Sequence, residues 1–164
     1  MAKGKYLFAK EDGTLFFKLE GILKYTESLS FDAFIDSLIQ KKDFTEAVFD
    51  LTEVLYVDST NLGIIAKLGD YLLETYGKRT TLISTNDDVN EILRSVGFDE
   101  VFILIDDPSE RIDQVEEIPN TEQNTDKDTG NMILEAHKHL IRINKKNKET
   151  FQDIVDLMEK ELNS

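Results

Sequence analysis

The 164-residue sequence contains no cysteine, which excludes disulfide bonds, thiol nucleophiles and cysteine-ligated metal sites. It also lacks any run of about eighteen apolar residues, the length that a membrane-spanning helix needs. The N-terminal stretch MAKGKYLFAKEDG has a basic start but no apolar core of the kind found in signal peptides. We therefore expect a cytoplasmic protein that does not enter a membrane.

Basic charge is scarce. The sequence has 19 Lys and Arg against 33 Asp and Glu, a net charge of −14. A phosphate backbone or an anionic lipid surface would repel such a protein, which excludes non-specific binding to nucleic acid or membrane as its function. Neither G-x-x-x-x-G-K-[ST] nor G-x-G-x-x-G occurs, so no recognised loop cradles a nucleotide phosphate and we expect no cofactor.

Residues that could perform catalysis are also few. The two histidines, His137 and His139, lie two positions apart in a predicted helix, so they point to different faces and are interpreted as solvated side chains without a metal. The acidic pairs Asp87-Asp88, Asp106-Asp107 and Glu116-Glu117 are typical of helix caps and solvated surface, with acid/base catalysis as a minor alternative. We expect a protein that is not an enzyme.

Apolar residues make up 40% of the chain and alternate between strand and helix patterns. The first 118 residues predict a β-hairpin around Gly13, a helix capped by Ser28 or Ser30, a buried strand AVFDL, a helix over 59–76 ended by Gly77, a strand RTTLIST, a short helix, a strand over 101–105 and a last helix over 107–118. The 101–105 strand is apolar on both faces, as in an interior or otherwise covered strand. This order predicts an α/β fold with a mixed sheet of about five strands.

The composition changes after this domain. Residues 119–131 are almost free of apolar side chains and are predicted to be a flexible linker. Residues 132–164 carry two amphipathic patterns separated by a polar break, which predicts a helical hairpin. Such a small pair buries little surface by itself. We expect it to dock on its own domain or to form a homodimer with a second chain, with a partner-binding arm as the third alternative.

The most unusual motif is the polar group Asp58, Ser59, Thr60 and Asn61 at the start of the second long helix. Any one of these side chains would serve as a helix cap, and a cap is the ordinary interpretation of Ser59. The alternative is that Ser59 accepts a phosphate, because the free amides and dipole at a helix start tolerate negative charge. A phosphate would add between about −1.5 and −2 charge to that surface and would disrupt a partner interface there.

The stretch VDSTNLGIIAKL resembles the signature of STAS domains, the fold of bacterial anti-sigma factor antagonists. The signature is a hydrophobic residue followed by Asp-Ser-[Ser/Thr]-Gly-[aliphatic]-Gly, and it is matched at Val57, Asp58, Ser59, Thr60, Leu62 and Gly63. Asn61 departs from the usual glycine. The order of predicted elements also matches the STAS fold, and the extra hairpin resembles the tail of longer proteobacterial antagonists.

The resemblance implies a phosphorylation switch at Ser59. It implies an anti-sigma factor with serine kinase activity as the partner: the unphosphorylated protein binds it and frees a sigma factor, the phosphorylated protein lets go, and a PP2C-type phosphatase resets the system. The expected partner-binding residues are Asp58, Thr60, Asn61, Ile64, Asn86 and Asp87. Ile64 is included because it lies off the predicted buried stripe of its helix, which is Leu62, Ile65, Leu68, Leu72 and Leu73.

Two other functions remain open at this point. Some STAS domains have been proposed to bind or hydrolyse a nucleotide, which the lack of a phosphate loop disfavours. A scaffold in a stress-sensing complex, or an accessory of lipid transport, would keep the domain and change the system. Stress scaffolds usually carry a separate N-terminal domain, and a first strand near residue 5 leaves no room for one.

Overall fold

A computed structural model describes residues 3–107, 115–119 and 125–163 of the chain. Its centre is a six-stranded mixed sheet with the order β5-β4-β3-β2-β1-β6. The strands are β1 (Lys5–Glu11), β2 (Thr14–Leu23), β3 (Glu46–Val57), β4 (Thr81–Ile83), β5 (Ile103–Ile105) and β6 (Glu116–Glu117). β1 is antiparallel to both of its neighbours, whereas β2, β3, β4 and β5 run parallel. The predicted α/β fold is confirmed.

Within the described residues, six α-helices accompany the sheet, besides a 3-10 turn at Tyr25–Glu27. They are α1 (Leu29–Lys41), α2 (Ser59–Tyr76), α3 (Asp87–Ser95), the single turn α4 (Phe98–Val101), α5 (Asp126–Ile141) and α6 (Lys145–Leu162). α2 ends as its sequence predicts, with Gly77 in the left-handed conformation at φ 67°. Within the described ranges, none of the helices is both long and apolar enough to cross a membrane.

The core lies against β2 and β3. Along β2 every second residue is buried, which is the period expected when one face of a strand packs inward. Phe17 and the neighbouring Phe49 of β3 stack at a centroid distance of 4.5 Å. Between the first two strands Asp12 and Gly13 both have positive φ, 51° and 80°, which closes the tight antiparallel turn predicted at Gly13.

Three local predictions are wrong. The 101–105 segment is not an interior strand: Phe98–Val101 forms the turn α4, and β5 is at one end of the sheet with Ile103 47% exposed. The last helix predicted over 107–118 conflicts with β6, where Glu116 pairs with Phe8 of β1; residues 108–114 of that prediction lie outside the described residues. Ser28 precedes α1 but makes no side-chain cap bond, because its hydroxyl turns toward buried partners.

The C-terminal helices α5 and α6 lie against the sheet domain, the name used here for the six strands together with α1 to α4. α5 begins at Asp126, capped by Thr125, so the end of the predicted linker is helical; residues 120–124 of it lie outside the described residues. α5 packs against α2 and α6 packs against α5. The buried side of α5 is formed by Met132, Leu134, Ala136, His137 and Leu140. In this chain the pair is thus docked in cis.

Candidate functional site

The start of α2 is organised by Asp58, which is the helix cap. Its Oδ1 accepts a 2.9 Å hydrogen bond from the amide of Asn61, and its Oδ2 accepts a 2.6 Å bond from the amide of Tyr25. The extended backbone of Asp58 is the conformation a cap requires. The ordinary interpretation of Ser59 as the cap is therefore wrong, and its hydroxyl is available for another contact.

Asn61 is a structural residue. Its side chain is fully buried, and its Oδ1 accepts a 2.6 Å hydrogen bond from the Tyr6 hydroxyl. The Ser28 hydroxyl is 3.0 Å from the same oxygen, and the Asn61 amide group donates to Asp58 Oδ1 over 2.9 Å. A buried polar group must be hydrogen-bonded to be tolerated. An asparagine, unlike a glycine, provides an acceptor that joins β1 and the residue before α1 to α2, and a donor that holds the cap carboxylate of Asp58.

Ser59 contacts a residue that sequence analysis assigned to solvent. The Ser59 Oγ lies 2.9 Å from Nε2 of His137 on α5. His137 Nδ1 is 2.7 Å from the carbonyl oxygen of Ile133, which can only accept, so Nδ1 carries the proton. In the neutral imidazole Nε2 is then an acceptor, and the Ser59 hydroxyl donates to it. The prediction that His137 is solvated is wrong, because the side chain is only 5% exposed.

α2 and α5 touch backbone to backbone beside this contact. A Cβ added to Gly63 would lie 2.1 Å from the carbonyl oxygen of Ala136, closer than any real Cβ contact. Glycine is therefore required for α5 to approach this closely. Ser59, Gly63 and Asp70 recur at helical spacing along α2, and each contacts α5, so one stripe of α2 is the docking face.

A charged cluster closes the other end of the docking face. Arg142 reaches Glu74 at 2.6 Å and Asp70 at 3.1 Å, and His139 Nδ1 lies 3.5 Å from Asp70. Burial lowers the pKa of His139 below its usual value, and this effect outweighs the opposing influence of the Asp70 carboxylate. Burial thus favours the neutral form of His139 at the edge of the interface, and the ring is not the solvated side chain predicted from the sequence.

The predicted partner-binding residues of α2 are differently exposed. Asp58 is half-buried, whereas Thr60 is 3% and Ile64 1% exposed. The placement of Ile64 off the buried stripe is wrong. The sequence pattern traced one apolar stripe, but α2 is enclosed by β3, α1 and α5 together, so more of its circumference is buried.

Asn86 and Asp87 lie at a second loop. Asn86 caps α3 by accepting from the amides of Asp88 at 2.8 Å and Val89 at 3.3 Å, and Asp87 is exposed. The end of β4 pairs with Asp50, far before the end of β3 at Val57. The sheet register therefore separates this loop from Ser59 along the strand direction.

The structure shows an exposed apolar patch beside the Asp58 cap, which the site predicted from the sequence did not include. Tyr25, Leu55 and Tyr56 are 45%, 55% and 46% exposed. The amide of Tyr25 binds Asp58, and Tyr56 pairs with Ile22 next to the strand end that leads into Asp58. A signal was present in the sequence, since Leu55 and Tyr56 are two consecutive large apolar residues and a strand with one buried face alternates.

No metal site accompanies these residues. In the part of the chain that the structure describes, no group of three or more His, Asp or Glu side chains is arranged to hold a metal ion. The polar side chains around Ser59 already have hydrogen-bond partners. Asp58 accepts from backbone amides, Asn61 accepts from the Tyr6 hydroxyl, and His137 is bonded to the Ile133 carbonyl and to Ser59. The arrangement can present or withhold a hydroxyl, depending on where α5 lies.

Comparison with known proteins identifies the fold. The STAS domain family model matches residues 6–115. None of the curated proteins compared matches the sequence. An anti-sigma factor antagonist from Mycobacterium paratuberculosis superposes with a TM-score of 0.57 at 17% identity, covering 65% of this chain and 89% of its own.

Two structures of SpoIIAA are also similar. The unphosphorylated anti-sigma factor antagonist has a TM-score of 0.53 at 19% identity, covering 64% of this chain and 91% of its own. The phosphorylated form of this Bacillus cell fate determinant has a TM-score of 0.52 at 16% identity, covering 63% and 94%. The family match spans the sheet domain and includes the Asp58-Ser59 motif, and the chain therefore belongs to the STAS domain family.

Proposed function

We propose that this protein is an anti-sigma factor antagonist, a binding module switched by phosphorylation of Ser59. In its unphosphorylated form it binds an anti-sigma factor that has serine kinase activity and so releases a sigma factor. Phosphorylation of Ser59 ends that binding, and a PP2C-type phosphatase restores it. The protein acts in the cytoplasm, without a catalytic step of its own and without direct contact to nucleic acid.

One observation carries this proposal: the Ser59 hydroxyl is at the first residue of α2 and is not used as the helix cap. Asp58 performs that structural role, so the sheet domain does not depend on the Ser59 side chain. The similarity of the fold to anti-sigma factor antagonists, one of them solved in a phosphorylated form, supports the same assignment.

The neighbouring Thr60 is a poorer phosphate acceptor than Ser59. Thr60 is 3% exposed, whereas Ser59 is only half-buried. A kinase must place the attacking hydroxyl in line with the γ-phosphate, so the acceptor side chain must be accessible at the protein surface. We therefore assign the switch to Ser59 alone.

The pair Ser59 and His137 also has the form of a nucleophile and a base, and its surroundings argue against acyl transfer. His137 is oriented by a backbone carbonyl and not by a carboxylate. The amides of Asn61 and Leu62, which would stabilise an oxyanion, are bonded to Asp58. The Asp58 carboxylate beside them would repel developing negative charge.

Two substitutions at Ser59 test the proposed function. Ser59→Asp introduces one negative charge where phosphate brings nearly two, and it should weaken binding to the anti-sigma factor in calorimetry, whereas Ser59→Ala should retain binding. Thr75→Asp is the matched control, since it adds the same charge to an exposed position near the other end of α2. Equal affinity of Ser59→Asp and Thr75→Asp would contradict a charge switch at Ser59.

A further inference from the structure

The contact between α5 and α2 covers the residue that the proposed function needs to be accessible. The Ser59 hydroxyl donates a hydrogen bond to His137. The His137 ring packs edge-on against Phe151 of α6 at a centroid distance of 5.3 Å. Both helices of the C-terminal pair therefore hold the imidazole over Ser59. Neither histidine nitrogen is free, because Nδ1 is bonded to Ile133.

The docked arrangement places an imidazole in the direction in which the Ser59 hydroxyl points. The Ser59 Oγ and His137 Nε2 are 2.9 Å apart, a direct hydrogen bond. A phosphoryl group adds a phosphorus and three oxygens at the Oγ, together with about −1.5 to −2 charge beside the Asp58 carboxylate. A phosphoryl group in the position of this hydrogen bond would displace the imidazole and the helix that carries it.

The interface is built to close over this face. Gly63 allows the backbone contact with Ala136. On the inner face of α5, Met132 and Leu140 are 3% and 0% exposed. At the α5–α6 turn, Asn147 Nδ2 donates to the carbonyl oxygen of Val96 over 2.8 Å. The pair is anchored both beside Ser59 and at α3, so its docked position is a defined state of the chain.

We propose that the stripe of α2 from Ser59 to Asp70 is a competition surface, which the C-terminal hairpin occupies in cis and from which the anti-sigma factor with kinase activity must displace it. The Ser59–His137 hydrogen bond is the latch that makes docking depend on the state of Ser59. A partner fits this surface if it presents an element that approaches Gly63 closely and accepts the Ser59 proton. This inference rests on the proposed function.

Competition lowers the apparent affinity of every partner for this surface. If a partner binds only the open form, its apparent affinity is its intrinsic affinity multiplied by the fraction of chains in which the hairpin is open. Phosphorylation of Ser59 is then expected to hold the hairpin open, because the phosphate occupies the space of the imidazole. The hairpin thus sets how readily the switch can be reached.

The test uses a single introduced thiol, since the chain has no cysteine of its own. Ser59→Cys places a thiol at the covered position, and its labelling is measured with N-ethylmaleimide and with a bulky polyethylene glycol maleimide. Both reagents attack the same thiolate, so the ratio of bulky to small rates reports access and cancels any effect of His137 on thiol ionisation. The two undocking substitutions are Gly63→Ala, whose Cβ would meet the Ala136 carbonyl, and Ala136→Glu at a buried position of α5.

We expect the ratio to rise about tenfold in either undocking variant, because the bulky reagent reaches the half-buried thiol mainly in chains in which α5 has moved away. Ser84→Cys is the matched control: Ser84 is 3% exposed in the sheet domain, and its thiol should stay unreactive when α5 is released. If Gly63→Ala unfolds the sheet domain and exposes that control, Ala136→Glu decides the result, since its substitution lies outside the sheet domain. A ratio that stays constant in both variants would overturn the proposal.

Different results would contradict the docking of the hairpin over Ser59 and the proposed function. Thiol access is measured without a kinase. A rise in the ratio of bulky to small labelling rates therefore supports the docking of the hairpin over Ser59 even if Ser59 proves not to be phosphorylated. Conversely, if a cognate kinase phosphorylated Ser59 equally fast in the wild-type chain and in Ala136→Glu, the switch would stand and competition by the hairpin would be wrong.

Discussion

The sheet domain and the C-terminal hairpin are stabilised in different ways. The centre of the core lies within the sheet domain, where Leu15, Phe17 and Phe49 are at most 1% exposed, and α5 adds to its edge with Met132, Ala136 and Leu140. The hairpin has one buried stripe on α5, while α6 buries only Asn147 and Val155 and leaves Ile154 and Leu157 46% and 61% exposed. A helix pair of this kind takes most of its stability from what it packs on. We therefore expect the hairpin to open at a lower cost in free energy than the sheet domain unfolds.

The largest effect that sharpens this comparison is expected from Ile64→Glu, in the core of the sheet domain. Ile64 is 1% exposed, so the substitution buries a carboxylate without a partner and should cost several kcal/mol or unfold the domain. Denaturant unfolding followed by circular dichroism measures the loss. Thr75→Glu on the exposed part of α2 should change stability by less than about 0.5 kcal/mol. A native spectrum and midpoint for Ile64→Glu would mean that this face of α2 is open.

The next effect should be confined to the hairpin. Leu140→Ala removes a fully buried side chain of α5, a change that costs about 2–5 kcal/mol in an intact core. Here we expect hydrogen exchange to lose protection across 125–163 while the amides of β2 and β3 keep theirs. Leu157→Ala, at an exposed position of α6, should leave both regions unchanged. Equal loss of protection in the two regions would show that they unfold as one unit.

A smaller effect is expected from Ser59→Ala. The substitution removes the hydrogen bond to His137 but leaves the cap at Asp58 intact, so the free energy of unfolding should fall by about 0.5–1.5 kcal/mol. Thermal or denaturant unfolding measures it. The loss should disappear in Ala136→Glu, where α5 is already displaced. If the loss persisted unchanged in that variant, Ser59 would stabilise the sheet domain itself.

The smallest effect concerns pH and His139. Its folded-state pKa lies below 6.5, so the unfolded chain binds more protons between the two values. This contribution to stability is present above pH 6.5 and is lost as the pH falls through that window. The charged groups facing the ring are Asp70, Lys67, Arg142 and Asp32. His139→Gln, which retains His137, should flatten the decline of the melting temperature in this window; an identical pH profile would contradict the burial argument.

The sequence predicted the sheet domain better than the docking of the hairpin, and the reasons are physical. Period-two alternation in β2 and the Gly77 cap are local signals, which a short window of sequence contains. The burial of His137 depends on α5 crossing α2, a contact between Ser59 and His137, residues 78 positions apart, that no periodicity records. Gly63 was visible as part of the family motif, but its role as the crossing point required the position of Ala136.

The polar group at the start of α2 shows the same division. Four polar residues suggested redundant caps, whereas each has a separate position: Asp58 caps the helix, Asn61 joins a buried network, Thr60 is buried and Ser59 faces His137. Cap preference identifies the group but does not rank its members. Only the tertiary contacts separate the structural asparagine from the available serine.

Phosphopeptide mapping by mass spectrometry, after incubation of the full chain with its cognate kinase and ATP, tests the central claim most directly. The account predicts one main site at Ser59, with no modification of the Ser59→Ala variant and faster modification when Ala136→Glu releases the hairpin. Phosphate confined to Thr60, Thr125 or Thr129, with Ser59 unmodified, would contradict it.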